Sequence, residues 1–195
     1  MISFFKKIYK SFINLESSVV ESKLNYIFND KTILKSALTH SSFNNKPLGD
    51  YQRLEFLGDA ILNQIISNYL FNRFPDYKEG DLTKKRANLV NSNTLGNLGL
   101  ELNLIKYAYI DSSIDLDNNK VANNIAADLY ESIIAAITLD SNIENAKQFI
   151  ESTLLNIESI LDVDQNYKGN LIEFCHKNKF AIPDFNIISS SGPAH

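Results

Sequence analysis

Two pairs of carboxylates stand at helical spacing in this 195-residue chain. Glu55 and Asp59 are four residues apart in LEFLGDAIL, and Asp128 and Glu131 are three apart in IAADLYESIIAAI. At these separations each pair shares one face of a helix. Both segments are otherwise apolar and read as buried. Like charges at such spacing repel by about a few tenths of a kcal/mol in water. Desolvation adds to that cost and raises the carboxyl pKa values. A divalent cation removes the conflict. Mg²⁺ takes oxygen ligands at about 2.0–2.1 Å and is commonly held by a few carboxylates while keeping several waters. Bound so, it can activate a water and stabilise charge on a phosphoryl group during in-line displacement. The bland alternative makes each pair a solvated helix face. Two pairs, both inside the most apolar stretches of the chain, weigh against it. Gly58, between Glu55 and Asp59, costs a helix about 1 kcal/mol relative to alanine and points to close backbone packing there.

The elements that must carry these pairs follow from periodicity. Gly and Pro are scarce, at seven and four, and apolar residues recur at helical intervals. The pattern predicts an amphipathic helix over 18–28 and a second over KTILKSALTH, capped by Asp30. A turn-rich loop follows over 41–49. The strongest helix runs from Tyr51 to Phe74 and is stopped by Pro75. Further helices are expected over 81–98, 121–139 and 143–160, with a polar loop at 111–119. After a linker at 162–166 come a short helix, GNLIEFCHKN, and a strand-like run, DFNIISS, opened by Pro183. One helix and one strand cannot bury a core, so this tail reads as the start of a second, incomplete domain.

Composition narrows the function classes. Nineteen basic residues against twenty-three acidic ones give a net charge of −4. Passive nucleic-acid binding through net charge is therefore not expected, and any basic footprint has to be local. The single cysteine, Cys175, excludes a disulfide framework and a four-cysteine zinc site, and reads as a packing residue. No apolar run reaches the roughly 20 residues of a membrane span. Lysines interrupt the apolar N-terminal stretch, unlike a signal peptide, so a cytoplasmic location and no membrane partner are expected. Ser41 and Ser42 have no partnered base. His40 suits a capping or supporting role near a helix end. Gly96 and Gly99 are too isolated to form a phosphate loop.

The run Gln52–Ala60, QRLEFLGDA, resembles the signature of the ribonuclease III family, usually ERLEFLGDS or a near variant. Three further stretches match in order: ALTHSS at 37–42, EGDLTKKRANLV at 79–90 and ADLYESIIAAITL at 127–139. The resemblance covers about residues 20–160. The tail resembles the beginning of a double-stranded-RNA-binding domain. The expected architecture is thus an all-α endonuclease domain over 1–161, followed over 162–195 by the first part of an α+β RNA-binding module. The favoured reading of the abrupt end is a fragment; the alternative is loss of the module.

What the resemblance implies is specific. Asp59 and Glu131 fall on the family's catalytic positions, and Glu55, Asp128 and Glu131 on its metal-ligand positions, with Mg²⁺ as the ion and Mn²⁺ as a substitute. Phe56 falls where the family packs an aromatic ring into a partner subunit, which implies a homodimer. The substrate is double-stranded RNA, cut to 5′-phosphate and 3′-hydroxyl ends with short 3′ overhangs, in the maturation of ribosomal and other structured RNAs. Lys85 and Arg86, in the cluster Lys84–Arg86, can contact phosphates or form a solvated face, Arg86 having the stronger case for a structural partner. Glu79 can approach RNA or a metal, or simply serve the helix it begins. Glu173, His176 and His195 lie where the RNA-binding module contacts RNA. Gln52 and Ala60 depart from the usual signature without touching the four carboxylates. The main rival is a non-enzymatic RNA-binding protein on the same fold. Such relatives usually lose some of the carboxylates, and all four are intact here.

Overall fold

The computed structural model describes residues 18–43, 49–155, 167–181 and 183–185. The chain divides into two compact units, Met1–Leu161 and Asp162–His195.

In the first unit the helices are α1 (18–24), α2 (Lys31–Ala37), α3 (Gln52–Arg73), α4 (Glu79–Leu89), α5 (Ser92–Glu101), α6 (Leu104–Tyr107), α7 (Asn119–Asp140) and α8 (Ile143–Thr153). Short polar side chains start several of them. Asp30 accepts from the Thr32 amide, Asn91 from Thr94, Asn118 from Lys120 and Val121, and Asn142 from Asn145. Each bond satisfies an amide that the first helical turn leaves without a partner.

The middle of α7 is buried around most of its circumference. Ile125–Ala127, Leu129, Tyr130 and Ser132–Ile137 are all buried, the signature of a helix enclosed by its neighbours. Glycines set how closely those neighbours approach. A Cβ at Gly58 of α3 would stand 1.8 Å from the Glu131 carbonyl oxygen, and one at Gly99 of α5 would stand 2.3 Å from that of Ala126. Both helices therefore meet the α7 backbone directly. Ser132 Oγ, buried in this stretch, donates to Ala37 O at 2.7 Å and ties α7 to the end of α2. Tyr130 joins α8 by a 2.6 Å hydroxyl contact with Thr153 and a ring contact with Phe149. Asp140, at the end of α7, accepts from the amides of Asn29 and Asp30 and from the Tyr26 hydroxyl, fixing the turn between α1 and α2.

Several boundaries differ from the sequence expectation. The helix expected over 81–98 is two, because Asn91 adopts an extended conformation and caps a new helix. The first helix ends at residue 24, where Asn25 turns left-handed with φ +49°. The second ends at Ala37, and Thr39 instead forms a parallel bridge with Tyr109. The helix expected over 143–160 is described as far as Thr153, with 156–160 outside the described residues.

In the second unit, α9 spans Tyr167–Lys177. It ends with Lys179 left-handed at φ +57° and the Phe180 amide donating to Cys175 O at 2.8 Å. The Phe180 ring lies 6.1 Å from that of Phe174, completing a hydrophobic C-cap. Pro183–Phe185 carry no regular structure, and residues 186–195 lie outside the described set. Most of the expected strand, and His195, therefore fall outside the described residues.

Candidate metal centre

The crossing of α3 and α7 builds the site. Gly58 rests on the Glu131 backbone, and the carboxylates flank that contact, Glu55 one turn before Gly58 and Asp128 one turn before Glu131. Oxygens of Glu55, Asp128 and Glu131 lie within 4.8 Å of one another. All three side chains are half-buried. Asp59 stands apart from this trio. It is exposed, and Asn63 Nδ2 donates to its Oδ1 at 2.7 Å and to its carbonyl at 2.9 Å.

Crowding of negative charge shows in the proton affinities. Burial, then repulsion from Asp59, Asp128 and Glu55, pushes the Glu131 carboxyl up to about 8. Burial and the charges of Asp128 and Asp59 raise Glu55. Burial also raises Asp128, against the opposing effects of a hydrogen bond from Tyr51 and the nearby His40. Three convergent hard oxygen donors with this unneutralised repulsion form a donor set that could hold a divalent metal ion.

Tyr51 is the site residue that pattern reading passed over as a helix start. Its hydroxyl donates to Asp128 Oδ2 at 2.8 Å across 77 residues of sequence. A tyrosine one turn before Glu55 is the available sequence signal, but its partner is visible only in three dimensions. His40 packs edge-to-face on Tyr51, ring centroids 5.4 Å apart, and its Nδ1 accepts from the Ser42 amide at 3.0 Å.

The remaining candidates lie outside the carboxylate trio. Arg86 donates to Ser67 Oγ at 2.7 Å, joining α4 to α3. Lys85 holds its ammonium 4.9 Å from the Phe74 ring centroid and 5.6 Å from that of Tyr77. Glu79 lies in the first turn of α4 and accepts from Thr83 Oγ1. Phe56, on α3, is 80% exposed. Glu173 lies on α9 in the second unit. Gly96 and Gly99 serve packing, against Asn123 and Ala126 of α7.

Known proteins resemble this chain over most of its length. The Ribonuclease-III-like family model matches residues 30–157, a span that contains all four carboxylates. Ribonuclease 3 of Wolbachia pipientis is 34% identical over 184 residues, 92% of this chain and 80% of its own. Ribonuclease 3 of Campylobacter fetus is 36% identical over 180 residues, covering 90% and 79%. The nuclease domain of ribonuclease III from Campylobacter jejuni superposes with a TM-score of 0.63 at 38% identity, over 70% of this chain and 97% of that domain. The study of that domain concerns flexibility in a region involved in dimer formation. Dicer from Giardia intestinalis, at 26% identity and a TM-score of 0.57, matches 74% of this chain through 19% of its own length. Helical architecture, carboxylate arrangement and relatives converge: the chain is an enzyme of the ribonuclease III family.

Proposed function

We propose that the chain cleaves double-stranded RNA as a Mg²⁺-dependent homodimer, with Mn²⁺ able to replace Mg²⁺. Its products carry 5′-phosphate and 3′-hydroxyl ends with short 3′ overhangs, and its work is the processing of ribosomal precursors and other structured RNAs, messenger RNA included, in the cytoplasm. The observation that carries the reading is the convergence of Glu55, Asp128 and Glu131 oxygens within 4.8 Å.

In this mechanism Glu55, Asp128 and Glu131 hold the cation, and Asp59 and Glu131 are the catalytic pair. The ion supplies an activated water and stabilises charge on the phosphoryl group. Glu131 gives up its elevated proton affinity once its charge is compensated. Asp59, exposed and hydrogen-bonded by Asn63, would take the proton that the attacking water releases. The exposed Phe56 inserts into the partner subunit, and the dimer sets one trio against each RNA strand. A-form RNA suits this arrangement, since its shallow minor groove is accessible and read by shape.

Lys85, Arg86 and Glu79 form the RNA-facing set on α4. Lys85 reaches RNA from its seat over the Phe74 and Tyr77 rings, and Arg86 meets phosphate only from a side chain already tied to Ser67. Residues 162–195 begin a double-stranded-RNA-binding domain, in which Glu173 and His195 face RNA.

The test is incubation of the purified chain with a long RNA duplex, with and without Mg²⁺, and chemical reading of the ends. Duplex cut only with the ion, to 5′-phosphate ends, is the expected result. An intact duplex at saturating Mg²⁺ defeats the proposal.

A further inference from the structure

Tyr51 is 3% exposed although it ends in a hydroxyl. Packing alone does not require that hydroxyl, since phenylalanine has the same ring. Burying it without a partner would leave a desolvated donor unsatisfied and cost stability. The partner here is Oδ2 of Asp128, 2.8 Å away, so one oxygen of a trio carboxylate is engaged by a side chain of a different helix.

The donor is held at both ends. The Tyr51 amide donates to Thr39 O at 2.9 Å, and the segment behind it is clasped to the chain after α6. There the Tyr109 amide donates to Leu38 O at 2.8 Å and the His40 amide to Tyr109 O at 3.0 Å. Ser42 extends the clasp: its amide donates to His40 Nδ1, and its Oγ accepts from the Asp111 amide at 3.1 Å. The imidazole, so oriented, packs on the edge of the Tyr51 ring. The phenol therefore approaches Asp128 from a fixed direction and leaves that carboxylate one preferred orientation toward Glu55 and Glu131. Groups that hydrogen-bond to a metal-binding carboxylate typically set affinity by orienting it before the ion arrives.

We propose that Tyr51 is a positioning residue: its hydrogen bond to Asp128 presets the carboxylate trio for a divalent cation and sets the affinity of that site. The inference rests on the metal-dependent reading given above.

The experiment measures Mn²⁺ binding to the whole chain, by the electron paramagnetic resonance of the free ion, for wild type and Tyr51→Phe. The expected result is an affinity lowered about ten-fold or more, with kcat/KM recovering as Mg²⁺ is raised. A packing role alone would lower the unfolding midpoint of the metal-free chain and leave Mn²⁺ affinity within two-fold of wild type, and that outcome overturns the proposal. Wild-type chain that binds no Mn²⁺ defeats the metal-dependent reading, and this one with it. Should Tyr51→Phe fail to fold, wild type carrying tyrosine labelled at the phenolic carbon supplies the second measurement. Its Tyr51 resonance is expected to move with Mg²⁺ along the binding curve, and a resonance unmoved at saturation overturns the assignment.

Discussion

Gly58→Ala tests the crossing on which the site depends. Helix propensity by itself favours the change by about 1 kcal/mol, because glycine is costly in a helix interior. The structure demands the opposite sign. The added Cβ would lie 1.8 Å from the Glu131 carbonyl oxygen and 2.6 Å from its carbon, where ordinary contact starts at 3.4 Å. The shortfall is 3.4 − 1.8 = 1.6 Å, and the obstruction is backbone that cannot rotate aside. Overpacking of a tight core typically costs about 1–3 kcal/mol, occasionally more, and this clash belongs at the upper end. Subtracting the propensity gain leaves a net loss of about 2 kcal/mol or more. At about 2–4 °C per kcal/mol for a chain of this size, the melting midpoint falls by about 4–8 °C.

Two control substitutions separate the possible causes. Gly80→Ala adds a Cβ with nothing within 4 Å and is expected to be neutral or stabilising by up to about 1 kcal/mol. Gly99→Ala clashes with Ala126 O at 2.3 Å, on the α5 contact rather than at the carboxylates. It is expected to cost stability while leaving Mn²⁺ affinity of the folded chain near wild type. Gly58→Ala is expected to lose both. Thermal melts of the metal-free chain and Mn²⁺ titration read the two effects. A Gly58→Ala chain that melts at or above the wild-type midpoint would refute the reasoning, since propensity would then have won over the clash.

Glu131→Gln is expected to abolish duplex cleavage while the metal-free chain gains stability at neutral pH, read by thermal melts; near-wild-type activity removes Glu131 from the mechanism. The same carboxyl predicts a pH dependence. Its folded pKa is raised from 4.5 to about 8, so its contribution to stability is full below pH 4.5 and is lost as pH rises toward 8. The melting midpoint of chain in EDTA should fall over that window, more steeply in wild type than in Glu131→Gln, and equal slopes would contradict the assignment. Phe56→Ala is expected to weaken the dimer by about 2 kcal/mol or more if the ring fills a partner pocket, which analytical ultracentrifugation reads as a shift in dissociation constant. Asp140→Ala removes the acceptor for two amides and the Tyr26 hydroxyl. It should destabilise the chain by about 1–3 kcal/mol in urea denaturation, with Mn²⁺ affinity unaffected.

The long helices were legible because their periodicity extends over five or six turns. The expected limits Tyr51–Phe74 and 121–139 lie close to the observed Gln52–Arg73 and Asn119–Asp140. The break at Asn91 was not, because capping there overrides an apolar pattern that continues through it. Gly58 announced a close approach from sequence alone; that the opposing atom is the Glu131 carbonyl is a fact of the fold. The convergence of Glu55 with Asp128 and Glu131 was inferred as chemistry, and the separation of Asp59 from that trio was not. Glu55 and Asp59 share a helix face in projection, but Asp59 is exposed and hydrogen-bonded to Asn63 one turn on, and nothing in the spacing says which of the two carboxylates turns toward α7. Tyr51 escaped notice for a related reason, its partner lying 77 residues away.

The acidic residues occupy an unfavourable place in this fold. Asp128 and Glu131 interrupt the helix whose other residues are the most deeply buried, and raised proton affinities record the cost. Moving them to a solvated face would relieve the repulsion, since exposed carboxylates screen one another. It would also release them to many rotamers, and a cation site built from mobile side chains must order them on binding. Here the ordering is done by folding. Gly58 and Gly99 lock α7 between α3 and α5, Ser132 ties it to α2, and Tyr51 fixes the Asp128 carboxylate. The apolar environment is thus what keeps three mutually repelling oxygens in place, and the stability lost to their repulsion is the part that a bound cation restores.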